Sequence, residues 1–421
     1  METPYNSVQL FSGGGTRFGY YLGSYAALYE RGHRPELILA TCGGSLAALL
    51  VDLAPEPQQL QALMQSREFY EVIRASQPRR PLTNKAKTLG LSTQYPDYFY
   101  NALKRWRLAR QPHKLSQRQV KESHDELLAE LQHLAMFEMG QNDEWLEALA
   151  QLKGSATPTS TVQDKVQNTT DIAMIASRLL PSVARPRQDA NAVPLIEPNS
   201  VQLQEILFAP NKLTNYPKLS AELTCPTYPY APHRITREVH TSYDWDIRQA
   251  VRASMADMYY LQPTHIDDLG WCLGGVINLT PIELACQLGQ TVFAETKSPY
   301  DKHLAAPAIQ RVFGFDPNER LNQVHSHTHS GVSSRTLDSD SHGHRSKAQT
   351  TAQSTGIHWL PFADNGKALA GQHVRKRINL KAGLIDLIHA DYANFVKQMQ
   401  AQWDYGHTRT IAYLKQTKGK L

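Results

Sequence analysis

Short apolar runs, glycine turns and amphipathic stretches alternate through the first fifty residues. Val8-Gln9-Leu10-Phe11 predicts a buried strand, Ser12-Gly13-Gly14-Gly15 a turn, and residues 18–31 a helix closed by Gly32. The cycle repeats at once: Leu37-Ile38-Leu39-Ala40 predicts a second strand, residues 41–45 a sharp turn, and residues 46–53 a second helix. Two strand-turn-helix units in succession predict parallel strands covered by helices. Residues 55–150 then become polar and helical, as at 123–132 and 144–152, with Pro78, Pro81 and Pro96 as breaks. With the polar stretches at 154–170 and 185–200, they predict a helical insertion over 55–200.

The α/β pattern returns with strands at 204–208 and 219–225, a helix at 246–258 and a glycine-containing strand end at 273–278. A helix at 281–288, closed by Gly289, and a strand at 291–295 follow. A Ser- and His-rich loop over 325–355, a last strand at 356–361 and a final helix at 386–403 complete the reading. The expectation is a single α/β domain over 1–421: a central, mostly parallel sheet with helices on both faces, its core motifs within 8–295.

Composition narrows the function classes. With 421 residues, 41% hydrophobic and 20% charged, the chain can bury a substantial core, which excludes a disordered chain and a disulfide-stapled mini-protein. A formal charge of +5, without a dense basic block, argues against nucleic acid as a partner and leaves only weak attraction to anionic membrane surfaces. The four cysteines, Cys42, Cys225, Cys272 and Cys286, form no CxxC pair and fit a reducing compartment. The first seven residues lack a basic leader segment, and the uncharged run 37–51 is too short and too glycine-rich to span a bilayer. These features predict a cytoplasmic protein.

Two turns carry candidate chemistry. Gly13-Gly14-Gly15-Thr16-Arg17 sits between a strand and a helix, where backbone N–H groups and the helix dipole favour an anion or oxyanion. A nucleotide site fits poorly, because no Gly-Lys-Ser/Thr ending follows and Phe18 stands at the last glycine of G-x-G-x-x-G. The alternative is a turn kept only for close packing. Ala40-Thr41-Cys42-Gly43-Gly44 has the form of a nucleophile elbow with cysteine in the serine place. A helix N-terminus lowers a thiol pKa, which predicts a thiolate fraction at Cys42; the alternative is a small cysteine filling a tight turn.

Other features are weaker. His325, His327, His329, His342 and His344 crowd one polar stretch, in the manner of a weak metal site or, more often, a solvated loop. Tyr20, Tyr21, Tyr25 and Tyr29 share a helical spacing that suits packing or the wall of an acyl pocket. No ligand set for a metal or cofactor is evident.

Taken together, the two turns resemble those of the patatin-like phospholipases. Ala250-Val251-Arg252-Ala253-Ser254-Met255 resembles that family's Ala-x-x-Ala-Ser helix. The run from Leu273-Gly274-Gly275 to Pro281 resembles its Asp-Gly-Gly-x-x-Asn-x-x-Pro segment. The resemblance implies a three-layer α/β fold, a lipid or acyl-ester ligand, and a Ser–Asp dyad. It further implies an oxyanion loop of Gly13, Gly14 and Gly15, helped by Gly43 and braced by Arg17, with Gly44, Gly274 and Gly275 as motif glycines.

Both dyad positions depart from the family, with Cys42 for Ser and Leu273 for Asp. Leucine accepts no proton, so the first expectation is a pseudoenzyme or very slow esterase that keeps the pocket. The second is an active cysteine-dependent acyl hydrolase or acyltransferase, and the third a scaffold for a protein or membrane surface. Asp267, Asp268, His265 and His240 are substitute bases to consider, and Cys272 a remote redox partner for Cys42.

Overall fold

The computed structural model describes residues 3–13, 15–78, 124–135, 137–139, 170–180, 201–214, 234–257, 260–300, 302, 305–326, 356–372, 374–379 and 384–417. Among them, the strands are β1 (Tyr5–Phe11), β2 (Leu37–Thr41), β3 (Ser76–Pro78), β4 (Phe137–Met139), β5 (Asp171–Leu180), β6 (Gln202–Phe208), β7 (His240–Ser242), β8 (Thr264–Ile266), β9 (Gly270–Cys272), β10 (Gly289–Glu295), β11 (Gly356–Leu360), β12 (Arg375–Asn379) and β13 (Leu384–Ile388). The helices are α1 (Gly19–Glu30), α2 (Gly43–Leu53), α3 (Pro57–Met64), α4 (Arg67–Arg74), α5 (His124–Leu134), α6 (Ile247–Met255), α7 (Ile282–Leu288), α8 (Ala305–Phe313), α9 (Pro317–Ser326), α10 (Asn365–Ala368) and α11 (Tyr392–Gln416).

The central sheet runs β11-β10-β1-β2-β5-β6-β7, with β8 and β9 attached beside β5. Neighbours from β11 through β5 are parallel, in registers such as Val8↔Leu37 and Val8↔Val292. β6 pairs with β5 antiparallel, so the sheet is mixed but mostly parallel. Alternation along each strand separates two apolar layers. Leu37 and Leu39 face one layer with Leu10, Ile175 and Leu288, whereas Ile38 and Ala40 face the other with Phe11, Leu46 and Trp403. This makes the expected three layers.

Helix α1 is buried along its length from Gly19 to Leu28, because α11 covers the side that would otherwise meet water. Gln402 of α11 fixes the start of α1, its Oε1 accepting the Gly19 N–H at 2.9 Å. The tyrosines of α1 are packing groups: Tyr20 and Tyr21 are each 1% exposed, and Tyr25 donates to the Pro55 carbonyl. None of the three lines an open acyl pocket.

Three sequence expectations are corrected. The helical insertion does not extend to residue 200, because β5 lies inside that range at the heart of the sheet. Its run Ile172-Ala173-Met174-Ile175-Ala176 is buried throughout, as a strand covered on both faces requires. The final helix begins at Tyr392, not 386, with Asp391 accepting from the Asn394 N–H as its cap, and runs to Gln416; residues 384–388 are strand β13. His325 ends helix α9 rather than opening a loop. The expected helix at 144–152, strand at 219–225 and loops at 154–169, 185–200 and 327–355 lie outside the described residues.

Candidate active site

The carboxyl ends of β10, β1 and β2 are neighbours in the sheet, and the two turns read from the sequence leave from two of them. This is where open parallel sheets place their sites. Cys42 joins β2 to α2 with φ 52° and ψ −125°, and it alone among the described non-glycine residues has a positive φ. Such a conformation costs about 1–3 kcal/mol and survives only where surrounding contacts impose it.

Those contacts are visible. The Cys42 N–H donates to Ser254 Oγ at 2.8 Å, and Ser254 in turn donates to the Ile175 carbonyl at 2.6 Å and accepts from Ser45 Oγ. Thr41 Oγ1 donates to the Gly275 carbonyl at 2.9 Å. Helix α2 comes so close to β1 that a Cβ on Gly44 would collide with the Phe11 carbonyl. Replacing Gly44 by alanine should therefore lower stability by about 1–3 kcal/mol, as overpacking does, measured as a lower urea midpoint with unchanged slope.

The elbow aims the Cys42 sulfur at a residue that the sequence reading missed. Cys42 Sγ donates to Asp257 Oδ2 at 3.4 Å. Asp257 stands just beyond the end of α6, three residues after Ser254, so the helix that pins the elbow also delivers the acid. Its signal in the sequence, an aspartate two places after Ala253-Ser254-Met255, carries no spacing rule that links it to Cys42. A carboxylate within reach of the sulfur is therefore present, and it is none of the candidates named from the sequence.

Leu273 stands where the resemblance places the acid, yet its side chain is 0% exposed and packs in the apolar layer away from α2. Its N–H donates to the Ser177 carbonyl at 2.8 Å. Gly274, at φ 80°, carries the chain past Asp257, and Gly275 donates its N–H to the Ser254 carbonyl at 3.0 Å. A Cβ on Gly274 would lie 3.0 Å from Asp257 Cα. The glycine pair and Asp257 are therefore brought together, while Leu273 turns away.

The electrostatics reverse another expectation. Burial pushes the Cys42 thiol well above its ordinary range, and the negative charge and hydrogen bond of Asp257 push the same way. The Gly43 N–H and the charge of Lys297 act against this without cancelling it. Burial and Asp257 together hold the proton on the sulfur, and the helix N-terminus alone does not draw it off.

Gly13 and Gly15 of the glycine loop lie against the elbow. A Cβ on Gly13 would stand 3.3 Å from Cys42 Cβ, and one on Gly43 would stand 2.5 Å from the Gly15 carbonyl oxygen. Gly14 lies outside the described residues. Arg17 has its guanidinium beside Gly366 of α10, where a Cβ would be 3.4 Å away.

The substitute bases are elsewhere. Asp267 and Asp268 are exposed between β8 and β9, and His265 faces Asp267 at 3.6 Å. His240 is on β7, paired with Ile206. Cys272 is a buried free thiol whose strand pairs with Arg178 of β5, not with the elbow. Among the described residues, no group of three or more His, Cys, Asp or Glu is placed to hold a metal.

Beside the loop, Leu279 reaches toward Gly13 and lines a cavity of about 20 Å³ with Val276, Tyr300, Phe315, Leu321 and Val324. Among the described residues, no helix is long and apolar enough to cross a membrane.

Among solved structures, the crystal structure of VipD from Legionella pneumophila is similar over 98% of this chain and 67% of its own, at 10% identity and a TM-score of 0.31. No curated protein sequence matches the chain. The sequence model of the patatin-like phospholipases matches residues 10–286, a span that holds both turns, Asp257 and the Gly274–Gly275 pair. The chain belongs to the patatin-like phospholipase family.

Proposed function

We propose that the protein is a cysteine-dependent acyl hydrolase or acyltransferase of lipid esters, with Cys42 as nucleophile and Asp257 as its proton acceptor. The pseudoenzyme reading rests on the loss of a base at Leu273. The observation against it is the 3.4 Å contact from Cys42 Sγ to Asp257 Oδ2, which gives the elbow a carboxylate from another segment. Family membership supports the acyl-ester substrate class.

In the reaction, the Cys42 sulfur forms a bond to the ester carbonyl carbon as its proton passes to Asp257 Oδ2. The carbonyl oxygen becomes an oxyanion facing the N–H of Gly43 and those of the glycine loop. The carbon–oxygen bond to the alcohol then breaks, and Asp257 returns the proton to the departing oxygen. Water, or an acceptor alcohol in a transfer reaction, attacks the thioester, giving up its proton through Asp257 to the sulfur. The cycle needs no metal or cofactor, and it requires the thiol to stay reduced.

With p-nitrophenyl acetate and butyrate, the reduced protein should release p-nitrophenol catalytically, and Cys42→Ala should be at background. Turnover that survives in Cys42→Ala would remove the cysteine from the mechanism.

A further inference from the structure

We propose that Lys297 is a positioning residue for the oxyanion loop, holding the Gly13 carbonyl from below and placing a buried positive charge beside the Cys42 elbow. This rests on the acyl-transfer reading of the same site.

Lys297 follows β10 by two residues, so the strand next to β1 carries its side chain under the loop that leaves β1. Its ammonium is buried, with 7% of the side chain exposed, and Nζ donates to the Gly13 carbonyl oxygen. Gly13 in turn lies against Cys42: a Cβ there would be 3.9 Å from the sulfur. The cation is held by Glu295, whose Oε1 is 3.2 Å from Nζ. Glu295 is 1% exposed and also accepts from the hydroxyls of Tyr20, at 2.6 Å, and Tyr21. The Lys297 backbone is fixed as well, its N–H donating to His325 Nε2 at 3.2 Å.

A buried ammonium without partners would lose its proton, and two buried tyrosines alone would not require an ion. Here burial works against the charge on Lys297, but the charge and hydrogen bond of Glu295, with smaller help from neighbouring Tyr300 and Cys42, together raise its pKa above the ordinary value. The arrangement uses that charge in one direction. The carbonyl of Gly13 is tied down, so its oxygen is kept from turning toward the developing oxyanion. The positive potential also favours the negative charge that arises at the sulfur and carbonyl oxygen during attack.

The test uses Lys297→Met, Lys297→Arg and the neutral pair Glu295→Gln with Lys297→Met, which leaves no buried charge behind. Two quantities are measured: alkylation of Cys42 by iodoacetamide against pH, resolved by peptide mass spectrometry, and p-nitrophenyl ester kinetics. The proposal expects the alkylation profile to move to higher pH in Lys297→Met and in the double variant. It also expects kcat to fall about tenfold or more with KM nearly constant, and Lys297→Arg to recover most of both. A double variant that folds and matches wild type in both profile and kcat would overturn the role of Lys297. If no ester is turned over even by wild type while the alkylation profile still moves, the charge assignment stands and the acyl-transfer reading fails.

Discussion

Asp257→Asn is expected to make Cys42 easier to alkylate while reducing ester turnover by about 10²–10⁴-fold, the usual contribution of a positioned general base. The two effects have opposite signs for one reason. The carboxylate charge and its hydrogen bond help to hold the proton on the sulfur, so replacing Asp257 by a neutral amide lowers the thiol pKa toward its ordinary value. At neutral pH more thiolate is then present, and iodoacetamide, which needs no base, reacts faster. Ester attack needs the proton to be taken up and then handed to the leaving alcohol, and an amide does neither. A carboxylate that only placed its charge beside the sulfur would give faster alkylation with turnover unchanged. Measuring both rates in one preparation therefore separates proton transfer from the effect of the charge alone.

Leu273→Asp, the substitution that would restore the family's residue at that position, is expected to unfold or nearly unfold the protein instead of reviving a dyad. Leu273 is fully buried in an apolar layer with Ile175, Val276 and Ile277. An aspartate there would lose the transfer and packing energy of leucine and bury a carboxyl in an apolar layer, a cost of about 3–5 kcal/mol against a typical total of about 5–15 kcal/mol. The pH dependence has a defined sign. Burial raises the carboxyl pKa in the folded state above its unfolded value, so the charge penalty is absent below the unfolded value. It grows as pH rises between the two, and saturates above the folded value. Urea midpoints for the variant should thus lie nearest to wild type in mild acid and fall furthest below it at neutral pH. The combination of Cys42→Ser with Leu273→Asp should give no active esterase, because the second change breaks the core. Cys42→Ser alone already faces Asp257, and it is the variant in which serine esterase activity is expected.

Local chemistry explains which parts of this site were legible in the sequence. Gly13, Gly43 and Gly44 announce themselves because backbone or side chains nearly touch there, Gly15 because it takes a φ of 61°, and Cys42 stands at the centre of that pattern. Ser254 was visible only as part of the Ala-Ser helix; its role as anchor of the Cys42 N–H needs the fold to bring α6 under the elbow. Asp257 was not legible at all. It is 215 positions from Cys42 along the chain, and no periodicity ties the two. Leu273 misled for a related reason. A sequence places a residue at a position but does not say which face of the segment its side chain takes, and Gly274 at φ 80° lets the backbone turn between them. Strand β5 was hidden by its surroundings, a single apolar run between polar stretches, although continuous burial of that kind is the mark of a central parallel strand.

The pairing of Cys42 with Asp257 is tested most directly by trapping the intermediate it would form. Reduced protein mixed with p-nitrophenyl acetate at neutral pH, quenched in acid within the first turnover and digested, should carry one acetyl group on the Cys42 peptide. That group should be removed by hydroxylamine, and it should be slow to form in Asp257→Asn. A folded protein whose Cys42 is alkylated by iodoacetamide but takes up no acetyl group would contradict the account.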